Sequence, residues 1–194
     1  MVRDKKRIML VGVGGQGILL ASRILTTGLI AGGYDVKASE VHGMAQRGGS
    51  VVTQLAFGDK VYSPLNGPGV FDILVSLEKL EGIRYLHFLK KGGILLVNRK
   101  EIPSLPVISG AATYPADLAE RMASYPVSLH LIDADASALQ LGNPRVMNVV
   151  ILGALIKLLQ LTDLVNWREQ VAAAVKPQFQ EVNQKAFEIG LNMV

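Results

Sequence analysis

The chain has 194 residues, 49% of them apolar, with a net charge of +4. That length fits one domain with a substantial core. No apolar run reaches the roughly eighteen residues of a membrane span. The richest, 149–161, is short and contains Lys157. There is no cysteine, which excludes disulfides, a cysteine nucleophile and cysteine-ligated zinc or iron–sulfur clusters. His42, His87 and His130 are far apart and show no metal-ligand spacing. The basic excess is modest and spread out, apart from Arg3, Lys5, Lys6 and Arg7, and aromatic residues are few. Nucleic-acid binding is therefore disfavoured. The N-terminal residues lack a signal-peptide pattern, so a cytoplasmic protein is expected.

In chain order, Ile8-Met9-Leu10-Val11 reads as a buried parallel strand within 7–12. Gly12-Val13-Gly14-Gly15-Gln16-Gly17 follows, and a helix is predicted over 16–31, ended by Gly32-Gly33. This is G-x-G-x-x-G in the strand-turn-helix context that gives the pattern meaning. Gly12 permits a tight turn, Gly14 clears a path for a phosphate, and Gly17 lets helix and strand pack closely. The helix N-terminus offers free amides to an anion. Val36 to Ser39 predicts a second strand completing a βαβ unit, and 40–49 a loop with three glycines. Ser50 to Phe57 alternates as a strand should, with Lys60-Val61-Tyr62 placed to pair with it. Ser63 to Gly69 is loop, and Phe71 to Leu77 another buried strand. Near-helical spacing predicts a helix over 78–90, stopped by Gly92-Gly93. Strands at 94–97 and 127–132 flank an irregular, Pro-containing stretch from Ile102 to Pro115. Helices are predicted at 134–141, 146–161, 166–175 and 178–191. The helix 146–161 is apolar nearly all round, so it is either central to the fold or buried by a partner.

This alternation predicts an α/β, Rossmann-like fold: a mostly parallel sheet, helices on both faces, and a helical C-terminal region. Ligands should bind beyond the C-terminal strand ends, near the switch in strand order. Both glycine-rich segments, 12–17 and 43–49, should lie at that edge. Gly12, Gly14, Gly15, Gln16 and Gly17 form the candidate cofactor-binding turn. A dinucleotide would also need an acid at the end of the second strand, where Glu40 stands and Asp35 precedes. Magnitude argues for restraint: a helix N-terminus contributes about 0.3–2 kcal/mol to an anion, whereas micromolar binding needs about 8. In the second segment, Arg47 can grip a carboxylate or phosphate, and His42 can exchange protons near neutral pH. Gly43, Gly48 and Gly49 allow close approach of a ligand or another subunit. His42 and Arg47 are the catalytic candidates; with Glu40 and these three glycines they form a candidate interface and active-site loop. No metal site is expected. His87, within a helix, His130, within a strand, and Asp133 and Asp135, at a helix start, read as structural.

The pair of motifs, 12–17 and Ser39 to Val51, resembles the gamma-type domain of 2-oxoacid:ferredoxin oxidoreductases, nearest to the small (beta) subunit type acting on indolepyruvate. The likeness extends through Asp72 to Val75 with Leu77-Glu78, Gly92-Gly93 with Asn98, and Asn148 with Gly153, and makes 1–194 one such domain. The resemblance implies a subunit of a cytoplasmic complex that oxidatively decarboxylates an aryl 2-oxoacid to an acyl-CoA. Such complexes use thiamine diphosphate, iron–sulfur clusters, coenzyme A and ferredoxin. This chain lacks cysteine and the Gly-Asp-Gly…Asn-Asn pattern of a thiamine diphosphate site; Gly58-Asp59-Lys60 does not match. Both cofactors would then sit in a larger partner subunit, which would also deal with ferredoxin. The isolated chain would be inactive, whether monomer or homodimer. Its 12–17 turn would contact coenzyme A phosphates or nothing. The residues alone leave open a stand-alone NAD(P)- or nucleotide-binding Rossmann protein, or a scaffold.

Overall fold

The computed structural model describes residues 4–42 and 49–194, His42 through its backbone alone. Among these residues six strands form one sheet: β1 (Lys6–Val13), β2 (Asp35–His42), β3 (Ser50–Gly58), β4 (Phe71–Ser76), β5 (Leu89–Asn98) and β6 (Ser128–Ile132). The spatial order is β2-β3-β1-β4-β5-β6. β1, β4, β5 and β6 run parallel to one another. β3 runs antiparallel to both of its neighbours, β1 and β2. The expected α/β architecture is present, with one change: β3 occupies the place beside β1 that the second strand of a dinucleotide fold would take.

Alternating side chains of β1 feed two cores. Ile8 and Leu10 face one and Met9 and Val11 the other, as the two-residue period of a strand requires. The first face is covered by α1 (Ile18–Ala31), α5 (Ala134–Gln140), α6 (Met147–Leu158), α7 (Trp167–Ala173) and α8 (Gln180–Leu191). α2 (Lys79–Tyr85) and α4 (Leu118–Ala123) cover the second face, and α3 (Leu105–Ile108) is a single exposed turn.

Every residue of α6 from Met147 to Ile156 is buried. The covering comes from this chain itself, chiefly α8. Close approach of the two helices depends on glycine: a Cβ at Gly153 would lie 2.2 Å from the Phe187 carbonyl oxygen, and one at Gly190 would lie 1.9 Å from that of Val150. Each fully buried Leu or Ile of α6 contributes about 1.5–3 kcal/mol relative to exposure.

Several predicted boundaries move. The helix expected over 78–90 is only α2 plus a 3-10 turn at Leu86–Phe88; β5 then begins at Leu89 and runs through Gly92-Gly93. Positive φ at Gly92 (72°) fits glycine where the helix was expected to stop. Lys60-Val61-Tyr62 forms no strand; the Val61 amide donates instead to Asp35 Oδ2 at 2.8 Å. Asp35 lies inside β2 rather than before it, and the strand continues through Glu40 to His42. The 102–115 stretch contains α3, and a 3-10 turn at Pro144–Val146 precedes α6.

Candidate functional site

The C-terminal ends of β1, β4 and β5 and the start of the reversed β3 meet at one edge of the sheet. The chain departs to one side of β1 for β2 and β3, then to the other for β4, so the switch in strand order falls between β1 and β4. Two βα turns leave the sheet there: 12–17 after β1, and 76–79 after β4.

The glycine turn is largely closed on itself. The Val13 amide donates to Gln16 Oε1 at 2.7 Å, and Gln16 Nε2 donates to the Leu77 carbonyl at 2.8 Å. The Gly14 amide donates to the Gly49 carbonyl at 2.8 Å, which is where a phosphate oxygen would otherwise be received. This bond follows from the reversed β3, whose Ser50 pairs with Val13. Gly49 is thereby brought against the turn. A Cβ on Gly12 would lie 2.7 Å from Gln16 Oε1. Gly17 caps α1 in the left-handed conformation (φ 79°). Its close approach is to α6 rather than to a strand: a Cβ there would lie 2.5 Å from Asn148 Nδ2, which donates to the Gly17 carbonyl at 2.9 Å. Among the described residues, the amides of Gly15, Gly17 and Ile18 have no hydrogen-bond partner.

Glu40 is exposed on β2, level with Leu10 of β1 and separated from it by Thr53 of β3. Two inter-strand steps, about 10 Å, lie between β2 and β1, so β3 stands where a ribose-binding acid would have to reach. His42 is placed by its backbone opposite Val51. Gly43, Arg47 and Gly48 lie outside the described residues. His87 is exposed and rests against the Phe88 ring at 4.5 Å. His130 meets Ser128 Oγ at 3.1 Å.

The turn after β4 carries the Leu77-Glu78 pair of the family likeness, to which the sequence reading assigned no site role. Glu78 is 1% exposed and is the N-cap of α2. Its carboxylate accepts from the Glu81 amide at 2.9 Å, the Ile102 amide at 3.2 Å, and the Tyr114 hydroxyl. Burial, reinforced by the bond to Glu78, pushes the Tyr114 phenol far above the usual tyrosine range. Glu81, 5% exposed, accepts from Ser50 Oγ at 2.5 Å and pairs with Arg84 at 3.0 Å. Tyr85 meets the same serine hydroxyl at 3.2 Å. Both carboxylates line a cavity of about 440 Å³ that also reaches Val13, Ile102 and α3.

Asn98, at the end of β5, ties the edge together. It donates to the Leu77 carbonyl at 3.3 Å and to Asp135 at 2.7 Å, and it accepts from the Ala134 amide at 3.0 Å. The Leu77 carbonyl therefore joins Gln16 to Asn98 across three strands. Asp135 also pairs with Lys100 at 2.8 Å, and Asp133 caps α5 through the Ala136 amide at 2.9 Å.

A family model described as pyruvate ferredoxin/flavodoxin oxidoreductase matches residues 7–193. The chain belongs to this family. It is 38% identical to the indolepyruvate oxidoreductase subunit IorB of Pyrococcus horikoshii over 188 residues, covering 95% of this chain and 93% of that one. It is 30% identical to the 2-oxoglutarate synthase subunit KorC of Methanocaldococcus jannaschii, covering 97% and 94%. The gamma subunit of a keto/oxoacid ferredoxin oxidoreductase from Geobacter sulfurreducens superposes with a TM-score of 0.74 at 25% identity, covering 98% of this chain and 96% of that one. Within the oxidoreductase family these relatives are small subunits, not stand-alone dinucleotide enzymes. That agrees with the displacement of Glu40 and the closed glycine turn. Among the described residues, no helix is long and apolar enough to cross a membrane, and no three His, Cys, Asp or Glu side chains are grouped to hold a metal ion.

Proposed function

We propose that this chain is the small subunit of a cytoplasmic 2-oxoacid:ferredoxin oxidoreductase that converts an aryl 2-oxoacid, indolepyruvate or a close analogue, to its acyl-CoA. The observation that carries the proposal is the similarity to the indolepyruvate oxidoreductase subunit over nearly the full length of both chains. The residues present do not fit the thiamine diphosphate or the iron–sulfur clusters of such a complex. With no cysteine, the chain cannot supply thiolates to an iron–sulfur cluster, and it lacks the motif of a thiamine diphosphate site. A larger partner subunit carries both, along with the contact to ferredoxin.

The small subunit's share is to shape and close the active-site region. His42 and Arg47 in the 39–49 segment are its candidate contributors, with Glu40, Gly43, Gly48 and Gly49 supporting an interface there. For coenzyme A the fit is partial. The Gly14 amide is engaged within the chain, which leaves the amides of Gly15, Gly17 and Ile18 to face the phosphates. In this reading, Gly12 and Gln16 shape the turn and do not touch the ligand.

Affinity purification of the tagged chain from its native organism tests the proposal. A large cysteine-rich partner is expected to co-purify, and the isolated chain is expected to lack activity. A chain that purifies alone and binds NADH in a fluorescence titration would overturn it. In the reconstituted complex, Arg47→Ala is expected to lower kcat/KM at least about tenfold, as loss of a charged contact to a reacting or bound anion does. Unchanged kinetics would remove Arg47 from the site.

A further inference from the structure

The cavity after β4 is roofed by α3, a turn with no buried residue. Leu105 is 80% exposed and Ile108 70% exposed. Three positions apart on a helical turn, they stand side by side and present a large apolar pair to solvent at the cavity mouth. Such a pair, unlike a lone exposed leucine, marks a contact surface.

The cavity floor has the opposite character. It holds two carboxylates, Glu78 and Glu81, both nearly excluded from water. The three donors to Glu78 are two backbone amides and a neutral phenol. Of the described residues that line the cavity, Arg84 is the one cation. It is 55% exposed and pairs with Glu81 alone. Among the described residues the lining therefore carries one more negative charge than positive, in a chain whose net charge is +4. A buried anion without a cation in contact favours a positive partner over water or a neutral one. An anionic occupant would meet two carboxylates and one shared guanidinium.

We propose that this cavity receives a lysine or arginine side chain carried on an apolar segment of the larger subunit, whose hydrophobic residues cover Leu105 and Ile108. The inference rests on the small-subunit reading. Its place at the strand-order switch puts this contact beside the glycine turn and Ser50, so docking would also order the edge at which the shared site is expected.

Dissociation constants of the chain with the separately purified larger subunit, measured by calorimetry, test the inference. Leu105→Asp and Ile108→Asp change exposed residues and should fold, as circular dichroism will report. Each is expected to weaken binding at least about tenfold, as buried apolar anchors of an interface do. Glu81→Gln is expected to weaken it about tenfold and reduce its salt dependence. Arg84→Gln frees Glu81 for the incoming cation, so it should bind as well as wild type or better. Binding within twofold of wild type for Leu105→Asp, Ile108→Asp and Glu81→Gln overturns the docking inference and leaves the subunit reading standing. Arg84→Gln weakening binding while Glu81→Gln strengthens it also overturns it, because the occupant would then be anionic. If wild type fails to bind the larger subunit at all, the subunit reading fails and takes this inference with it.

Discussion

Two βα turns leave the same edge of the sheet, and they are built in opposite ways. The turn after β1 carries the recognisable glycine pattern, yet its polar groups are largely used up by the chain. Gln16 bridges Val13 and Leu77, Gly49 takes the Gly14 amide, and Asn148 takes the Gly17 carbonyl. The turn after β4 carries only the Leu77-Glu78 pair of the family likeness, yet it places two nearly buried carboxylates on a cavity. A glycine-rich turn therefore specifies tight geometry first, and a ligand only if the neighbouring strand leaves its amides free. Here the reversed β3 takes the Gly14 amide and leaves, among the described residues, those of Gly15, Gly17 and Ile18.

The largest expected effect is at the closed turn. Gly17→Val places a β-branched side chain at φ 79° and drives it into Asn148. The strain and the lost contact together should cost about 3 kcal/mol, or a fall of about 6–12 °C in Tm for a chain of this size. A thermal melt within two degrees of wild type would show that α6 does not clamp the turn.

Gln16→Ala comes next. It removes the acceptor for the Val13 amide and one of two donors to the Leu77 carbonyl, which should cost about 2 kcal/mol in urea unfolding. A neutral result would mean that water or a ligand serves these groups equally well and that the turn is open. The smallest effect lies at the other turn. Tyr114→Phe removes one of three donors to Glu78 and should cost about 1 kcal/mol.

The same variant has a pH dependence of defined sign. Burial raises the Tyr114 pKa in the folded chain, so the folded state holds that proton more tightly than the unfolded state. The resulting stability is fully present below about pH 10, where unfolded tyrosine begins to ionise, and is lost as pH rises further. Wild type should therefore lose stability more steeply above about pH 10 than Tyr114→Phe does. Parallel alkaline limbs in denaturation would contradict the placement of this phenol against Glu78.

What the residues reveal in advance follows from the range of the forces involved. The strand-turn-helix around 12–17 is legible because glycine, an apolar run and helical spacing are all local. The direction of β3 is not, since the alternation from Ser50 to Phe57 reads the same in either direction. Nor does the sequence show that β3 lies between β1 and β2, which sets Glu40 one strand too far out for a ribose-binding acid. Glu78 reads as no more than the first residue of a helix predicted over 78–90. Two of its three donors come from Ile102 and Tyr114, 24 and 36 residues away, and no spacing rule connects them. The nearly all-apolar 146–161 run did announce a buried helix. Gly190, whose missing side chain lets α8 cover it, lies in a segment of ordinary amphipathic pattern and gives no such sign.

Reconstitution tests the central claim most directly. The chain and the larger subunit are purified separately, and indolepyruvate-dependent, coenzyme A-dependent reduction of ferredoxin is followed for each alone and for the mixture. The small-subunit account predicts no turnover by this chain alone and turnover that rises with added chain until the larger subunit is saturated. Full activity of the larger subunit without the chain, or turnover by the chain alone, would contradict it.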